Sequence, residues 1–297
     1  GEAWRMLNKW SVFGEACAVC GGTMRPYRHD WLRRCEGCGV LNAALDIAIP
    51  DRPGAGELDE ALREDGLAAL RERNNAALLD RLTRLKAAPA RLLDVGCGPG
   101  FLLGAARDRG YAAEGIEPDA NTAPAAGSRG VRVRHGYFPD ALEPGERFGA
   151  IVFNDVLEHI PDLRGTLAAA ALHLEPGGML VLNCPDRRGL FFRVAALADR
   201  LGLPGAYDRL WQKGLPSPHV WYFTPANLAR AATAVGLQPA GDLRLETVAL
   251  KGLWARIRFV KGQPLAVSVA AWLFAVATWP LARVAPADAV ACFFRKP

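Results

Sequence analysis

Residues 92–100 read Leu-Leu-Asp-Val-Gly-Cys-Gly-Pro-Gly, an apolar strand that empties into a glycine-rich turn. A turn of this kind between a buried strand and a helix lets backbone N–H groups approach a ligand closely, so it marks a nucleotide-type site at the carboxyl end of a parallel sheet. The dinucleotide fingerprint G-x-G-x-x-G/A does not fit, because Phe101 stands where its last small residue belongs and the pattern here is G-x-G-x-G. Asp94 points the same way: an acid beside the glycines repels a pyrophosphate but can receive an ammonium group, directly or through water. Glu117 ends the next β-type run, where a carboxylate can accept both hydroxyls of a ribose.

The runs around this turn alternate with helical stretches: RLLDVG at 91–96, AAEGIE at 112–117, VRVRHG at 131–136, AIVFND at 150–155 and MLVLNC at 179–184. Strands separated by helical connections predict an α/β fold with a mostly parallel sheet and helices on both faces. LETVAL at 245–250 and DAVACFFR at 288–295 read as two further strands, which makes seven. Ahead of the sheet, residues 57–88 are predicted helical, with Leu78, Leu82 and Leu85 at helical spacing and Pro89 as the stop, and Pro50–Gly56 reads as a linker. The expected organisation is a ribbon over 1–49, a linker and helical lead-in over 50–89, and a cofactor-binding domain over 90–297.

Four of the seven cysteines form two C-x2-C pairs, Cys17/Cys20 and Cys35/Cys38, separated by fourteen residues and each followed by glycine. Two such turns present four thiolates to one tetrahedral zinc, and four thiolates leave no open position for catalysis, so the expected ion is structural. A redox pair is disfavoured because no βαβ context surrounds either motif, and His29 between them reads as a surface residue. Cys97, Cys184 and Cys292 have no partner at ligand spacing and read as core thiols. Free thiols and the lack of an apolar leader over residues 1–16 fit a cytoplasmic setting.

LLDVGCGPG, GIEP, FNDVLEHIPD and LEPGGMLVLNCP, in this order, resemble the successive motifs of class I S-adenosylmethionine-dependent methyltransferases over roughly residues 70–250. The resemblance implies a Rossmann-like methyltransferase fold in which Gly96, Gly98 and Gly100 pack against the methionine part of the cofactor. It implies that Glu117, followed by Pro118, binds the ribose, that His135 and Gly136 flank adenine, and that Asn154, Asp155 and Val156 lie beside the sulfonium. A narrower resemblance, carried by the ribbon and by PSPHVWYFTPANL, is to zinc-ribbon methyltransferases of envelope-sugar and natural-product pathways. In that late segment Thr224 is a good N-cap and Pro225 suits the first helical position.

For an acceptor that must lose a proton, His219 and His159 are the candidate bases, since imidazole titrates near neutral pH. Glu158 and Tyr222 are candidate substrate contacts. The expected acceptor is a small molecule, sugar-containing or lipophilic, methylated on oxygen or carbon. An RNA acceptor gripped by the ribbon is disfavoured because residues 1–50 carry six basic and five acidic residues, too balanced for a phosphate footprint. A partner-binding ribbon on a vestigial fold is disfavoured by the complete set of Gly96, Gly98, Gly100 and Glu117.

The net charge of +5 is concentrated late: residues 251–297 carry seven basic residues and one acid, +6, which leaves the first 250 residues at −1. Leu250, Leu253, Trp254, Ile257 and Val260 fall on one helical face ringed by Lys251, Arg256, Arg258 and Lys261, the pattern of an interfacial helix. Leu265–Trp279 follows, fifteen uncharged residues between Pro264 and Pro280, about 22 Å as a helix and short of a bilayer's apolar core. This insertion over 250–286 is expected either to bury itself against the sheet or to form an apolar lid that meets an anionic membrane surface or a greasy substrate.

Overall fold

The computed structural model describes residues 15–47, 60–120, 122, 130–247, 250, 252–258 and 264–297. The linker Pro50–Gly56, the first residues of the ribbon, and Lys251, Val260 and Lys261 of the insertion lie outside the described residues. With elements numbered in chain order, the central sheet takes β4 (Arg91–Val95), β5 (Ala112–Glu117), β6 (Arg132–His135), β7 (Phe148–Asn154), β8 (Leu174–Pro185), β10 (Gln238–Leu245) and β11 (Ala289–Arg295). Their order is β10-β11-β8-β7-β4-β5-β6; β4 to β8 pair in parallel, and β11 runs antiparallel to both β8 and β10.

Alternate side chains of each strand enter different cores, as the period of a pleated strand requires. Leu93, Val95, Ile151, Phe153, Leu180 and Leu182 share one cluster with α3 (Leu163–His173) and α6 (Pro225–Thr233). Leu92, Ala150, Val152, Met179 and Val181 share the other with α1 (Glu60–Leu85) and α2 (Phe101–Arg107). The helical lead-in is thus part of the body: Leu78, Leu79 and Leu82 are fully buried on the sheet. On the edge of this half, Arg91 and Arg134 clamp Glu114 and Glu146 at 2.6–3.0 Å, which ties the starts of β4 and β5 to β6.

A second sheet, β1 (Met24–Tyr27), β2 (His29–Cys35) and β3 (Leu41–Ala43), recruits β9 (Trp221–Tyr222) from the late segment. Thr224 caps α6 through its side chain, in a reciprocal capping box with Asn227, and Pro225 occupies the first turn, as the sequence predicted. Asn227 also donates from Nδ2 to the Cys38 carbonyl at 3.0 Å, and Arg164 donates to the carbonyls of Ala18 and Cys17. These bonds stitch the cysteine ribbon to the main domain.

Four expectations are corrected. The sixth strand is Gln238–Leu245, not 245–250: it is an exposed edge strand, QPAGDLRL, whose pairing comes from β11 rather than from an apolar run of its own. The helix predicted on 250–260 is short, α7 (Leu253–Arg258), which packs Leu253 and Ala255 inward near α1 and leaves Trp254 outside. The next helix, α8, runs Leu265–Val284 straight through Pro280, because a proline near an exposed helix end removes one hydrogen bond without ending the helix. The burial of α8 against the sheet is also overturned: Leu265, Val267, Trp272, Leu273 and Phe274 are exposed. Among the described residues no helix is long and apolar enough to cross a membrane.

Candidate active site

The chain reverses its direction of strand addition at β4, which has β5 on one side and β7 on the other, and ligands of open α/β sheets bind at such a switch point. A cavity of about 880 Å³ opens there, at the carboxyl ends of β4, β5 and β7. Its floor is the glycine turn. Gly96 has φ +67°, and a Cβ on it would meet Val156 at 2.7 Å, so only glycine lets the turn close on the loop that follows β7. Around Gly98, by contrast, a Cβ would meet nothing within 4 Å: the backbone there faces open space that a ligand can fill.

Glu117 is preset. Its Oε2 accepts from the Gly98 N–H at 2.8 Å and its Oε1 from the Asp119 N–H at 2.9 Å, which orients the carboxylate while leaving further lone pairs. Burial raises its pKa, and the two N–H donors oppose that rise. Asp94 is 2% exposed, its Oδ1 has no partner, and burial together with the charge of Glu117 pushes its carboxyl well up. A buried acceptor left without a donor is unfavourable until a cationic or N–H group reaches it. Pro118, Gly136, Asn154, Asp155 and Val156 line the same cavity. Gly100 sits just outside its wall as the left-handed N-cap of α2, and His135 turns away, exposed, with Nε2 3.1 Å from the Pro118 carbonyl. Tyr137 and Phe138 occupy the wall where His135 was expected.

Beyond β7 the cavity continues to Glu158, His159, His219 and Tyr222. The rings of His159 and His219 meet edge to face at 4.8 Å, and Glu158 Oε1 lies 4.0 Å from His159 Nε2. His159 Nδ1 is 2.9 Å from the Pro218 carbonyl, which assigns the proton to Nδ1 and the lone pair to Nε2. Burial pushes Glu158 well up, helped by Asp155, whose own carboxyl burial raises to about 6. Burial, with His159 nearby, drives His219 down to about 3. The reason for choosing His219 as a base, titration near neutrality, therefore fails: its imidazole is neutral and weakly basic in this pocket. Tyr222 departs from expectation too, since its hydroxyl donates to the Leu210 carbonyl and its ring packs on Trp211 and Phe192 in a buried aromatic cluster.

Two polar residues were missed by the sequence reading. Asn183, near the end of β8, donates to Asn154 Oδ1 at 2.8 Å and to Asp155 Oδ1 at 3.1 Å, and Asn154 in turn donates to Asn75 of α1. Asn183 holds Asp155 in its left-handed conformation, φ +57°, a position rare for any residue but glycine. The signal is one amide inside the apolar stretch MLVLNC and a pair, Asn74 and Asn75, at the head of NNAALL.

In the ribbon, Cys17 Sγ and Cys38 Sγ are 3.6 Å apart and Cys20 Sγ and Cys35 Sγ 3.4 Å, too far for disulfides and close to the spacing of thiolates around one zinc at about 2.3 Å each. The Gly22 and Cys38 N–H groups point at Cys20 Sγ and Cys35 Sγ, and Gly21 and Gly39 take φ +76° and +70°. The donor set fits a closed, structural zinc. Cys97, Cys184 and Cys292 are buried thiols apart from it.

A sheet of this order, with a glycine turn after its first strand and an acid ending its second, defines a nucleotide-cofactor α/β domain. Among family models, the one described as a methyltransferase domain matches residues 67–240, and the chain belongs to that family, the S-adenosylmethionine-dependent methyltransferases. The ubiquinone biosynthesis O-methyltransferase of Bordetella avium (strain 197N) is 30% identical over 163 residues, 52% of this chain and 65%, just under two thirds, of that relative's length. Among solved structures, geranyl diphosphate C-methyltransferase from Streptomyces coelicolor, in complex with Mg2+, geranyl diphosphate and S-adenosyl-L-homocysteine, is similar at TM-score 0.51 and 17% identity, over 85% of this chain and 90% of that one. The cyclopropane synthase MmaA2 from Mycobacterium tuberculosis is similar at TM-score 0.53 and 19% identity, over 74% and 83%. At these identities the two structures show a shared fold.

Proposed function

We propose that this chain transfers a methyl group from S-adenosylmethionine to a small-molecule acceptor, sugar-containing or lipophilic, at a hydroxyl oxygen. The observation that carries this reading is the single cavity that joins the Asp94–Glu117 glycine cradle to the Glu158–His159–His219 group. When bound, the cofactor would supply an electrophilic sulfonium methyl, which passes in line to the acceptor oxygen as its bond to sulfur breaks and S-adenosylhomocysteine leaves. Glu117 receives the ribose hydroxyls, Asp94 the ammonium, and Gly136 with Tyr137 flanks adenine. Asn154, Asp155 and Val156, fixed by Asn183, shape the wall where nucleophile and methyl must align at about 3 to 3.5 Å.

His159 is the base in this reading. Its Nδ1–H is held by Pro218, its Nε2 lone pair takes the acceptor proton, and its 19% side-chain exposure gives that proton a way out to water. Glu158, kept protonated by burial, donates to the acceptor rather than competing for its proton. The ubiquinone-pathway relative is named an O-methyltransferase, which supports oxygen over carbon and a lipophilic acceptor. Zinc on Cys17, Cys20, Cys35 and Cys38 belongs to the same reading as a structural ion, as does a cytoplasmic location, peripheral to the membrane.

Incubation with methyl-labelled S-adenosylmethionine and separated lipid-soluble, water-soluble and RNA fractions tests it. Label is expected in one small molecule, identified by mass spectrometry, and is lost in His159→Ala with cofactor affinity retained. Label in RNA or protein, or in nothing, contradicts it.

A further inference from the structure

Two helices of this chain present apolar side chains outward, and the start of one meets the segment after the other at the cavity. On α4 (Leu190–Arg200), Val194 and Leu197, with Leu201 just past the helix end, follow helical spacing and are all exposed. They are interleaved with exposed Arg193 and Arg200. The α4 start is bound to the segment that follows α8: Leu190 N–H donates to the Pro286 carbonyl, and Phe191 N–H and Phe192 N–H donate to Asp288 Oδ1 at 2.8 and 3.2 Å. Phe191, Phe192 and Asp288 line the cavity, so the segment after α8 and the start of α4 share a corner of its wall.

The exposure of α8 is broad. At about 100° per residue, Leu265, Val267, Val269, Trp272, Leu273 and Phe274 occupy about 220° of its circumference, and Ser268 lies on the buried side. A partner helix or a second copy covers a narrow seam, as in a coiled coil. An apolar arc this wide fits immersion in the acyl boundary of a bilayer. The chain's topology excludes crossing. Before α8, α7 lies near α1 and Arg258 reaches Ser268 Oγ at 3.3 Å; after it, β11 pairs inside the central sheet. Both ends return within a few residues to one folded body, so a helix about 30 Å long can only lie along the surface.

We propose that α8 and the outer face of α4 form a docking surface for an anionic lipid bilayer, and that an amphiphilic acceptor enters the cavity from that bilayer between the two helices. The choice of an anionic surface rests on charge: residues 251–286 carry five basic residues and no acid, with exposed Arg193 and Arg200 on α4. The docking surface stands on this geometry, whereas the entry of the acceptor rests on the methyl-transfer reading above.

Co-sedimentation of the full chain with vesicles of phosphatidylcholine alone and of phosphatidylcholine with phosphatidylglycerol tests the surface. Binding is expected only to the anionic vesicles and should weaken as salt rises from about 0.1 to 1 M, where the screening length falls from about 10 to 3 Å. The double variant Leu273→Asp/Phe274→Asp should weaken binding at least about tenfold, and Leu197→Asp/Leu201→Asp less, with unchanged circular dichroism. No vesicle binding, equal binding to both vesicle types, or variants that bind as the wild type does each overturn the proposal. So does a dimer in sedimentation velocity that the α8 variant dissolves while vesicles go unbound. Titration of the same preparations with S-adenosylhomocysteine separates the two readings: uptake of that ligand without vesicle binding removes the surface alone, and vesicle binding without uptake removes methyl transfer.

Discussion

The two ends of the cavity are held in different ways. The cofactor end grows from the carboxyl ends of parallel strands: Asp94, Gly96 and Glu117 each follow directly from β4 or β5, and sheet pairing fixes their spacing. The acceptor end hangs from the ribbon. Asn42 and the Ala43 N–H bond the Val220 carbonyl, Val220 N–H bonds the Glu158 carbonyl, and His219 N–H bonds the Trp211 carbonyl. β9, paired to β3, joins this wall to the ribbon sheet, which four cysteines close, while Glu158 and Asn183 reach the wall from the ends of β7 and β8. In the reading proposed above, a zinc on these cysteines, with no catalytic position, would set the geometry of the acceptor wall while the cofactor cradle stands without it.

Substitutions sharpen the contrast. The largest effect is expected for His159→Ala, which should lower kcat on the order of 10²- to 10⁴-fold and leave cofactor affinity within about threefold; equal loss in His219→Ala would restore His219 as the base. At the other end, Glu117→Ala should weaken S-adenosylhomocysteine by about 2 to 3 kcal/mol, because two hydroxyls lose a charged acceptor and Gly98 and Asp119 lose theirs. Calorimetry reads it, and an unchanged affinity breaks the assignment of the cradle.

Stability should divide along the same line. Glu114 is nearly buried between Arg91 and Arg134, and Glu114→Gln should destabilise the cofactor half by about 2 to 3 kcal/mol in denaturant unfolding. The smallest effect concerns pH. Glu114 and Glu146 have lowered pKa values: burial would raise Glu114 but its bonds to Arg91 and Arg134 outweigh it, and Arg134 foremost lowers Glu146, so their contribution is full above 4.5 and is lost as pH falls below it. His219, lowered by burial from 6.5 to about 3, is the reverse in charge but not in sign: the unfolded chain binds its proton first, so stability is lost as pH falls from 6.5 toward 3. Fluorescence of buried Trp211, beside this wall, should change at higher pH than hydrogen exchange of β4 and β5; simultaneous loss would contradict a divided site.

The cofactor end was legible because its information is local. Leu92–Gly100 and Glu117 announce themselves by apolar runs that stop at glycine or acid, and a parallel strand buried on both faces is apolar without interruption. The acceptor end is assembled from residues 158–160, 183–192 and 209–222, and no period links them. His219 looks like any neutral-pH histidine until its burial is known, and Tyr222 looks like a contact until its hydroxyl is found on Leu210. The strand β10 escaped because an edge strand can be polar on both faces, so the neighbouring apolar run was taken in its place. Asn183 and Asn75 escaped because an amide within or at the head of an apolar stretch reads as noise until its partners are seen.

The most direct test is calorimetric titration of S-adenosylhomocysteine into the native chain and into Cys35→Ser stripped of metal, under one condition. The divided site predicts one binding site per chain in both, with affinities within about threefold, while methyl transfer by the stripped variant falls by about 10²-fold or more, as expected from an acceptor wall displaced by about an ångström. Absence of binding in the native chain would contradict the methyltransferase reading, and loss of binding in the stripped variant would contradict the independence of the cradle.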